Sequence, residues 1–244
     1  MLEISGVTKR FGGIVAVSEC SFSVEKQQIV SLIGPNGAGK STLFNCISNI
    51  YPVDSGKIIF EKKRLDRTPT HKIAKLGIGR SFQLTRVLDE LSVTENLVLY
   101  TAAGFGMNLF RRSITKNDLE RAKEIMNFLG IYHMRNAAMN ELSYGQKKLL
   151  DLGSVIMSDP RLILLDEPAA GVNPRLLETI LEKILSLKEQ GKTILLVEHN
   201  MELVMGISDC VIVMAAGTVL KRGTPQEIQS DEAVLAAYLG SGTK

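Results

Sequence analysis

The segment that most restricts the fold of this chain is Gly34-Pro35-Asn36-Gly37-Ala38-Gly39-Lys40-Ser41, followed by Thr42. It fits the pattern G-x-x-x-x-G-K-[ST] and is flanked by the nearly all-apolar run Ile29 to Ile33 and by apolar residues at Leu43, Phe44, Ile47 and Ile50. The first flank reads as a strand buried on both faces and the second as a helix, so the order is strand, glycine loop, helix. In that setting the glycines let consecutive backbone N–H groups turn toward one point, and the helix N-terminus adds partial positive charge. Lys40 is then placed to reach the β and γ phosphates of a nucleotide, and the Ser41 hydroxyl to ligate Mg²⁺.

The rest of the chain supplies the scaffold. Residues 2 to 28 alternate polar and apolar, as in Ser21-Phe22-Ser23-Val24-Glu25, which predicts half-exposed antiparallel strands; Lys57 to Glu61 reads the same way. From Leu84 to Gly153 strand signals give way to helical ones. Thr115 with Asp118 forms a capping box, Leu119, Ala122, Ile125, Met126 and Leu129 form a stripe, and Gly130 is placed to stop it. Buried-strand runs return at Leu162 to Leu165, Ile194 to Val197 and Val211 to Met214, with a helical stripe at Leu176, Leu177, Ile180, Leu181, Ile184 and Leu185. Such alternation predicts an α/β fold with a parallel sheet and helices on both faces. The sequence holds no internal repeat and no linker-like tract, so its parts are expected to be lobes of one unit.

Two further strands end in chemistry. Leu162-Ile163-Leu164-Leu165 runs into Asp166 and Glu167, at the strand end where open α/β sheets bind ligands. Because successive side chains diverge, Asp166 can face a Mg²⁺ ion while Glu167 points toward a water attacking the γ-phosphate and accepts its proton. Ile194 to Val197 ends in Glu198 and His199, and a histidine there can hydrogen-bond the γ-phosphate or the attacking water. His71 and His133 lack such a setting and read as surface residues.

Composition narrows the partners. Twenty-nine Lys and Arg against 26 Asp and Glu give a formal charge of +3, too small an excess to argue for nucleic acid. Cys20, Cys46 and Cys210 show no paired spacing for zinc or redox work and suit a reducing compartment. Met1 to Phe11 lacks the apolar core of a signal peptide. The longest mostly apolar run, Leu97 to Phe110, is interrupted by Gly104, Gly106 and Asn108, so no bilayer span is expected.

Leu142-Ser143-Tyr144-Gly145-Gln146 resembles the signature of the ATP-binding cassette (ABC) family, and the order of motifs along nearly the whole chain matches too. Glycine loop (Walker A), glutamine loop, signature, acidic strand and histidine switch would be Gly34 to Thr42, Gln83, Ser143 to Gln146, Asp166 with Glu167, and His199. The resemblance implies a P-loop NTPase (RecA-like) core with a parallel sheet, an N-terminal antiparallel β subdomain and a helical subdomain insert. Residues 1–83 and 155–244 would form the nucleotide-binding part and residues 84–154 the helical one. It further implies that Ser143, Gly145 and Gln146 meet the γ-phosphate held by a second cassette. Phe11, before Gly12 and Gly13, would stack on adenine, and Gln83 would touch Mg²⁺ or water and report the nucleotide to the helical lobe.

Departures from the family pattern point to a branch. Tyr144 stands where glycine is usual in the signature, Ala170-Gly171-Val172-Asn173 where many members have Ser-Ala-Leu-Asp, and Asn200 follows His199 where Asp is frequent. At Asn173 hydrogen bonding is kept and charge is lost. With Gly79 to Gln83 and Ala237-Tyr238-Leu239-Gly240, these variants look like the ATPases of branched-chain amino-acid importers; those serving urea, amide or lipopolysaccharide transport are close alternatives. The resemblance implies a transport ATPase using ATP and Mg²⁺, cytoplasmic and peripheral on the inner face of the membrane. Its partners would be a second cassette, same or sibling, and transmembrane permease subunits, with a periplasmic or extracellular solute-binding protein acting indirectly. Leu97 to Phe110 would either dock a permease helix or fill the core of the helical lobe. A DNA-repair or translation ATPase fits less well, since Lys40 and Ser143 are too close for a long coiled-coil insert, and a small-molecule kinase or GTPase would leave Glu167 and the signature without a role.

Overall fold

The computed structural model describes residues 1–81, 89–101 and 114–239. The chain opens with an antiparallel hairpin, β1 (Leu2–Phe11) and β2 (Ile14–Val24), turned at Gly12 and Gly13 so that Phe11 faces Ile14. Next, β3 (Ile29–Ile33) leads through the glycine loop into α1 (Lys40–Ile47). β4 (Ser55–Phe60) and β5 (Lys63–Arg64) return to the hairpin and complete a sheet of order β2-β1-β4-β5. After α2 (Thr70–Ile73) and β6 (Ile78–Arg80) come the helices α3 (Val93–Leu99), α4 (Lys116–Phe128) and α5 (Tyr144–Met157). The chain then alternates: β7 (Leu162–Asp166), α6 (Pro174–Glu189), β8 (Thr193–Val197), α7 (Met201–Ile207), β9 (Cys210–Ala215). β10 (Thr218–Gly223), α8 (Pro225–Gln229) and α9 (Glu232–Leu239) close it.

The second sheet has the order β10-β9-β3-β8-β7-β6, parallel except for β10. Its central strands are buried on both faces, and the period of two sorts their side chains between two cores. Val30, Leu32, Leu162, Leu164, Leu195, Val197 and Ile212 pack with α1 and the antiparallel sheet. Ile29, Ile33, Ile163, Leu165, Ile194, Leu196 and Val211 pack instead against the helices of the opposite face. Each such side chain contributes about 1.5–3 kcal/mol by leaving water, so both faces hold the strands in place.

The helical caps follow from sequence. Thr115 and Asp118 cap α4 reciprocally, Thr115 N–H donating to Asp118 at 3.0 Å, and Gly130, at φ +73°, ends that helical region. Three apolar positions depart from the expected stripes. Ile50 is 39% exposed and lies outside α1, because Asn49 at φ +49° turns the chain out of the helix after Ile47. Leu119 in the first turn of α4 is exposed, and so is Leu185, whose place beside Ile180 and Ile184 is taken by Leu187. Of the run Leu97 to Phe110, residues 102–110 lie outside the described residues, while Leu97 and Val98 are buried in the core that contains Ile125, Leu129 and Leu150. Among the described residues no helix is long and apolar enough to cross a membrane.

Candidate functional site

Register brings three strand ends together. Leu32 of β3 pairs with Val197 of β8, and Val197 pairs with Asp166 of β7, so Gly34, Glu198 and Glu167 follow at one sheet edge. The glycine loop sits there between two strands that leave no space for a side chain at Gly34 or Gly39. A Cβ on Gly39 would lie 2.3 Å from the carbonyl oxygen of Ala16 in β2, and one on Gly34 would lie 2.1 Å from that of Met214 in β9. Gly39 also has φ +94°, which L side chains avoid. Gly37, at φ +80°, has no atom within 4 Å of the equivalent position.

Gly39→Ala is therefore expected to lower stability by about 2–4 kcal/mol, from strain and overlap together. Gly37→Ala is expected to cost only the conformational penalty of about 1–2 kcal/mol. Thermal unfolding of the two variants checks the contrast, and equal shifts would contradict it.

Lys40, buried in the first turn of α1, donates to the carbonyls of Gly34 at 2.7 Å and Pro35 at 3.0 Å. Burial holds its ammonium below the ordinary lysine value, opposed by the carboxylates of Glu167 and Asp166. The Asp166 carboxyl is pushed up by burial; the Arg80 guanidinium 3.4 Å away opposes this and Glu167 adds to it. Such a carboxylate, short of solvation, favours a nearby cation. Ser41 is exposed beside Lys40, so the loop offers a hydroxyl near the strand end that carries this acid.

Glu167 has φ +48°, an unusual backbone state for a residue with a Cβ. Its N–H donates to Val197 O at 2.9 Å and its carbonyl accepts from Lys148 Nζ at 3.1 Å. The side chain ends 3.1 Å from His199 Nε2, so the structure brings these two together.

The signature segment caps α5. Ser143 N–H donates to Gln146 Oε1 at 2.7 Å while Gln146 N–H donates to Ser143 Oγ at 3.3 Å. Tyr144, in place of glycine, donates its hydroxyl to Ala170 O at 3.1 Å, tying this helix to the loop after Glu167. Asn173 and Asn200, the other departures, cap α6 and α7 by accepting from Leu176 N–H at 2.9 Å and Leu203 N–H at 3.0 Å. Ser143, Gly145, Gln146 and Asn173 line one open cleft of about 500 Å³ between the N-termini of α5 and α6. It is lined by different residues from those of the glycine loop. Phe11 stands exposed at the hairpin tip, edge-on to Tyr51 at 5.2 Å between centroids, with the Lys9 ammonium 5.4 Å from its ring. Gln83 lies outside the described residues, as does Gly240.

Sequence reasoning misses four groups here. Arg80, Tyr144, Lys148 and Glu198 act through partners far along the chain, and the acceptors of Tyr144 and Lys148 are backbone carbonyls that carry no residue identity. For Glu198 a signal exists, an acid directly continuing a wholly apolar strand, and Tyr144 is visible as a departure from the signature though its partner is not.

The arrangement fits a nucleoside triphosphate: a glycine loop at a helix N-terminus, a lysine, and an acid at the end of β7, separated from β3 by β8 alone. Ser41 and Asp166 are hard oxygen donors, and two such donors suit Mg²⁺, which keeps waters and phosphate oxygens as its other ligands.

The model of the family described as ABC transporter matches residues 17–170, and that of the branched-chain amino acid ATP-binding cassette transporter matches residues 222–243. The chain is 39% identical over 250 residues to the high-affinity branched-chain amino acid transport ATP-binding protein BraF of Pseudomonas aeruginosa, covering 98% of each. It is 38% identical over 249 residues to LivG of Escherichia coli, a protein of the same description, again covering 98% of each. A crystal structure of the ADP conformation of MJ1267, an ATP-binding cassette of an ABC transporter, superposes with a TM-score of 0.89 at 34% identity over 98% of both chains.

Proposed function

The chain belongs to the ABC transporter family, and from that membership we propose that it is the ATP-hydrolysing subunit of an importer for branched-chain or other hydrophobic amino acids. The observation that carries the ATPase reading is the register placing Gly34, Asp166, Glu167 and His199 at one sheet edge, with Glu167 and His199 3.1 Å apart.

In this reading the backbone of Gly34-Pro35-Asn36-Gly37-Ala38-Gly39 and the Lys40 ammonium bind the β and γ phosphates, with Ser41 and Thr42 at the helix start. Ser41, Asp166 and Gln83 would hold Mg²⁺, which would supply positive charge to offset that of the phosphates. Glu167 takes the proton of the attacking water, and His199 holds Glu167 and the γ-phosphate in place. Phe11 stacks on adenine through its exposed face. Ser143, Gly145, Gln146 and Asn173 serve the nucleotide of a second cassette, because their cleft lies at two helix N-termini, which favour an anion.

The amino-acid assignment draws on BraF and LivG, whose names give branched-chain amino acid transport, and on the C-terminal match. The partners are then a second cassette, transmembrane permease subunits and, indirectly, a solute-binding protein, which places the chain on the cytoplasmic face of the membrane. A groove of about 470 Å³ between Ile50, Thr70 and Ile73 on one side and Tyr100, Lys147 and Val155 on the other is suited to a helix of the permease.

Ser143→Arg is expected to remove hydrolysis while a single chain still captures ATP with the affinity of the parent, since the arginine fills the cleft between α5 and α6 and leaves Lys40 untouched. Equilibrium nucleotide titration beside steady-state phosphate release tests it; parallel loss of both would place the signature in the chain's own nucleotide site. Leucine-stimulated hydrolysis by the complex with permease and binding protein in vesicles tests the solute, and stimulation by urea alone would overturn that part.

A further inference from the structure

Glu198 is 3% exposed, and the reaction as described gives it no part. It directly follows β8, where an apolar residue would have continued the strand. Burying a carboxylate is costly unless all of it is hydrogen-bonded, so its partners indicate what it is for. Oε1 accepts from Ala169 N–H at 2.8 Å; Oε2 accepts from His199 N–H at 2.9 Å and Asn200 N–H at 3.3 Å. These bonds join the loop after β7, which carries Glu167, to the loop after β8, which carries His199.

The fold does not require this link. The strand ends are already joined by Glu167 N–H to Val197 O at 2.9 Å, and α7 is already capped by the Asn200 side chain. What the carboxylate adds is a fixed spacing between Ala169 and His199, and with it the aim of the imidazole at Glu167.

We propose that Glu198 is a positioning residue for ATP hydrolysis: its buried carboxylate locks the loop of His199 to the loop of Glu167 and so sets the 3.1 Å contact between them. This rests on the assignment of Glu167 and His199 to turnover. A glutamine at this position has one acceptor oxygen, and its NH₂ would meet a backbone N–H, so one of the two loops is released. Glu198→Asp keeps both oxygens and the charge but is one methylene too short to reach both loops.

The test is a double-mutant cycle on the full chain, reading kcat, KM for ATP, nucleotide affinity and thermal unfolding for Glu198→Gln, Glu198→Asp, His199→Ala and Glu198→Gln with His199→Ala. Glu198→Gln and Glu198→Asp are each expected to lower kcat about 10- to 100-fold, as misplacement of a reacting group does, with ATP affinity within about twofold of the parent. With His199→Ala already present, Glu198→Gln is expected to lower kcat by less than about threefold further, because the group it positions is gone. Equal losses in both backgrounds, loss of ATP affinity or of the folded state in step with kcat, or a parental rate in Glu198→Asp would each overturn the proposal. If His199→Ala is slow and Glu198→Gln is not, this inference alone fails; a His199→Ala variant at the parental rate overturns the underlying assignment as well.

Discussion

Glu167→Gln is expected to slow ATP turnover by about 10³-fold while ATP affinity stays within about twofold of the parent, and to hold two cassettes together in Mg²⁺ and ATP. The size follows from removing a positioned base, which contributes about 10²–10⁴ to such reactions. The side chain keeps its shape, and the amide can occupy the place beside His199 Nε2 that the carboxylate holds at 3.1 Å. The amide cannot take a proton from water. The backbone is anchored independently of the side chain, through Val197 O and Lys148 Nζ, so the variant should retain the loop geometry. Phosphate release and size-exclusion chromatography with nucleotide read the two consequences. A rate within tenfold of the parent would move the base to another residue.

Lys40→Ala is the second large effect. The ammonium bonds to the Gly34 and Pro35 carbonyls, so it shapes the loop as well as meeting phosphate. Its removal is expected to weaken ATP binding at least 10²-fold, the ~3 kcal/mol of a charge-assisted bond, and to bring hydrolysis below detection. The fold should survive. Burial lowers the Lys40 value in the folded chain below that in the unfolded one, so the unfolded state binds the proton more readily, and stability from this group rises as pH climbs through the folded value. At neutral pH the charged lysine is thus a cost to the fold, and its loss should leave the unfolding temperature within a few degrees of the parent. A stable variant that still binds ATP as the parent does would remove Lys40 from the site.

The central strands are legible in the sequence because burial on both faces leaves uninterrupted apolar runs, as in Ile29 to Ile33 and Ile194 to Val197. The glycine loop, Asp166, Glu167 and His199 are legible because each falls where such a run stops. Helix faces are harder to read. Leu119 and Leu185 match a helical spacing yet point to water, since spacing gives a stripe without saying which edge of it the neighbouring element covers. Ile50 misleads because the break at Asn49 depends on its left-handed backbone, which its residue type permits without requiring.

The supports of the site are hidden for another reason. Ser143, Asn173 and Asn200 can be seen as polar residues at helix starts, but Tyr144 to Ala170, Lys148 to Glu167 and Glu198 to Ala169 join a side chain to the backbone of a distant segment. Only the packing of α5 and the strands of the parallel sheet reveals them. Tyr144 illustrates the point: as a departure from the family signature it reads as a loss of glycine, and in three dimensions it fastens the start of α5 to the loop after Glu167.

The central claim is that the loop from Gly34 to Thr42 gathers the triphosphate beside Asp166, and that a second chain closes over it with its own signature. A crystal structure of the Glu167→Gln protein grown with Mg²⁺ and ATP measures this directly. The account predicts two chains with nucleotide held between Lys40 of one and Ser143 of the other, and the ion beside Ser41 and Asp166. Nucleotide density in another pocket, with the loop empty and Lys40 still bonded to Gly34 and Pro35, would contradict it.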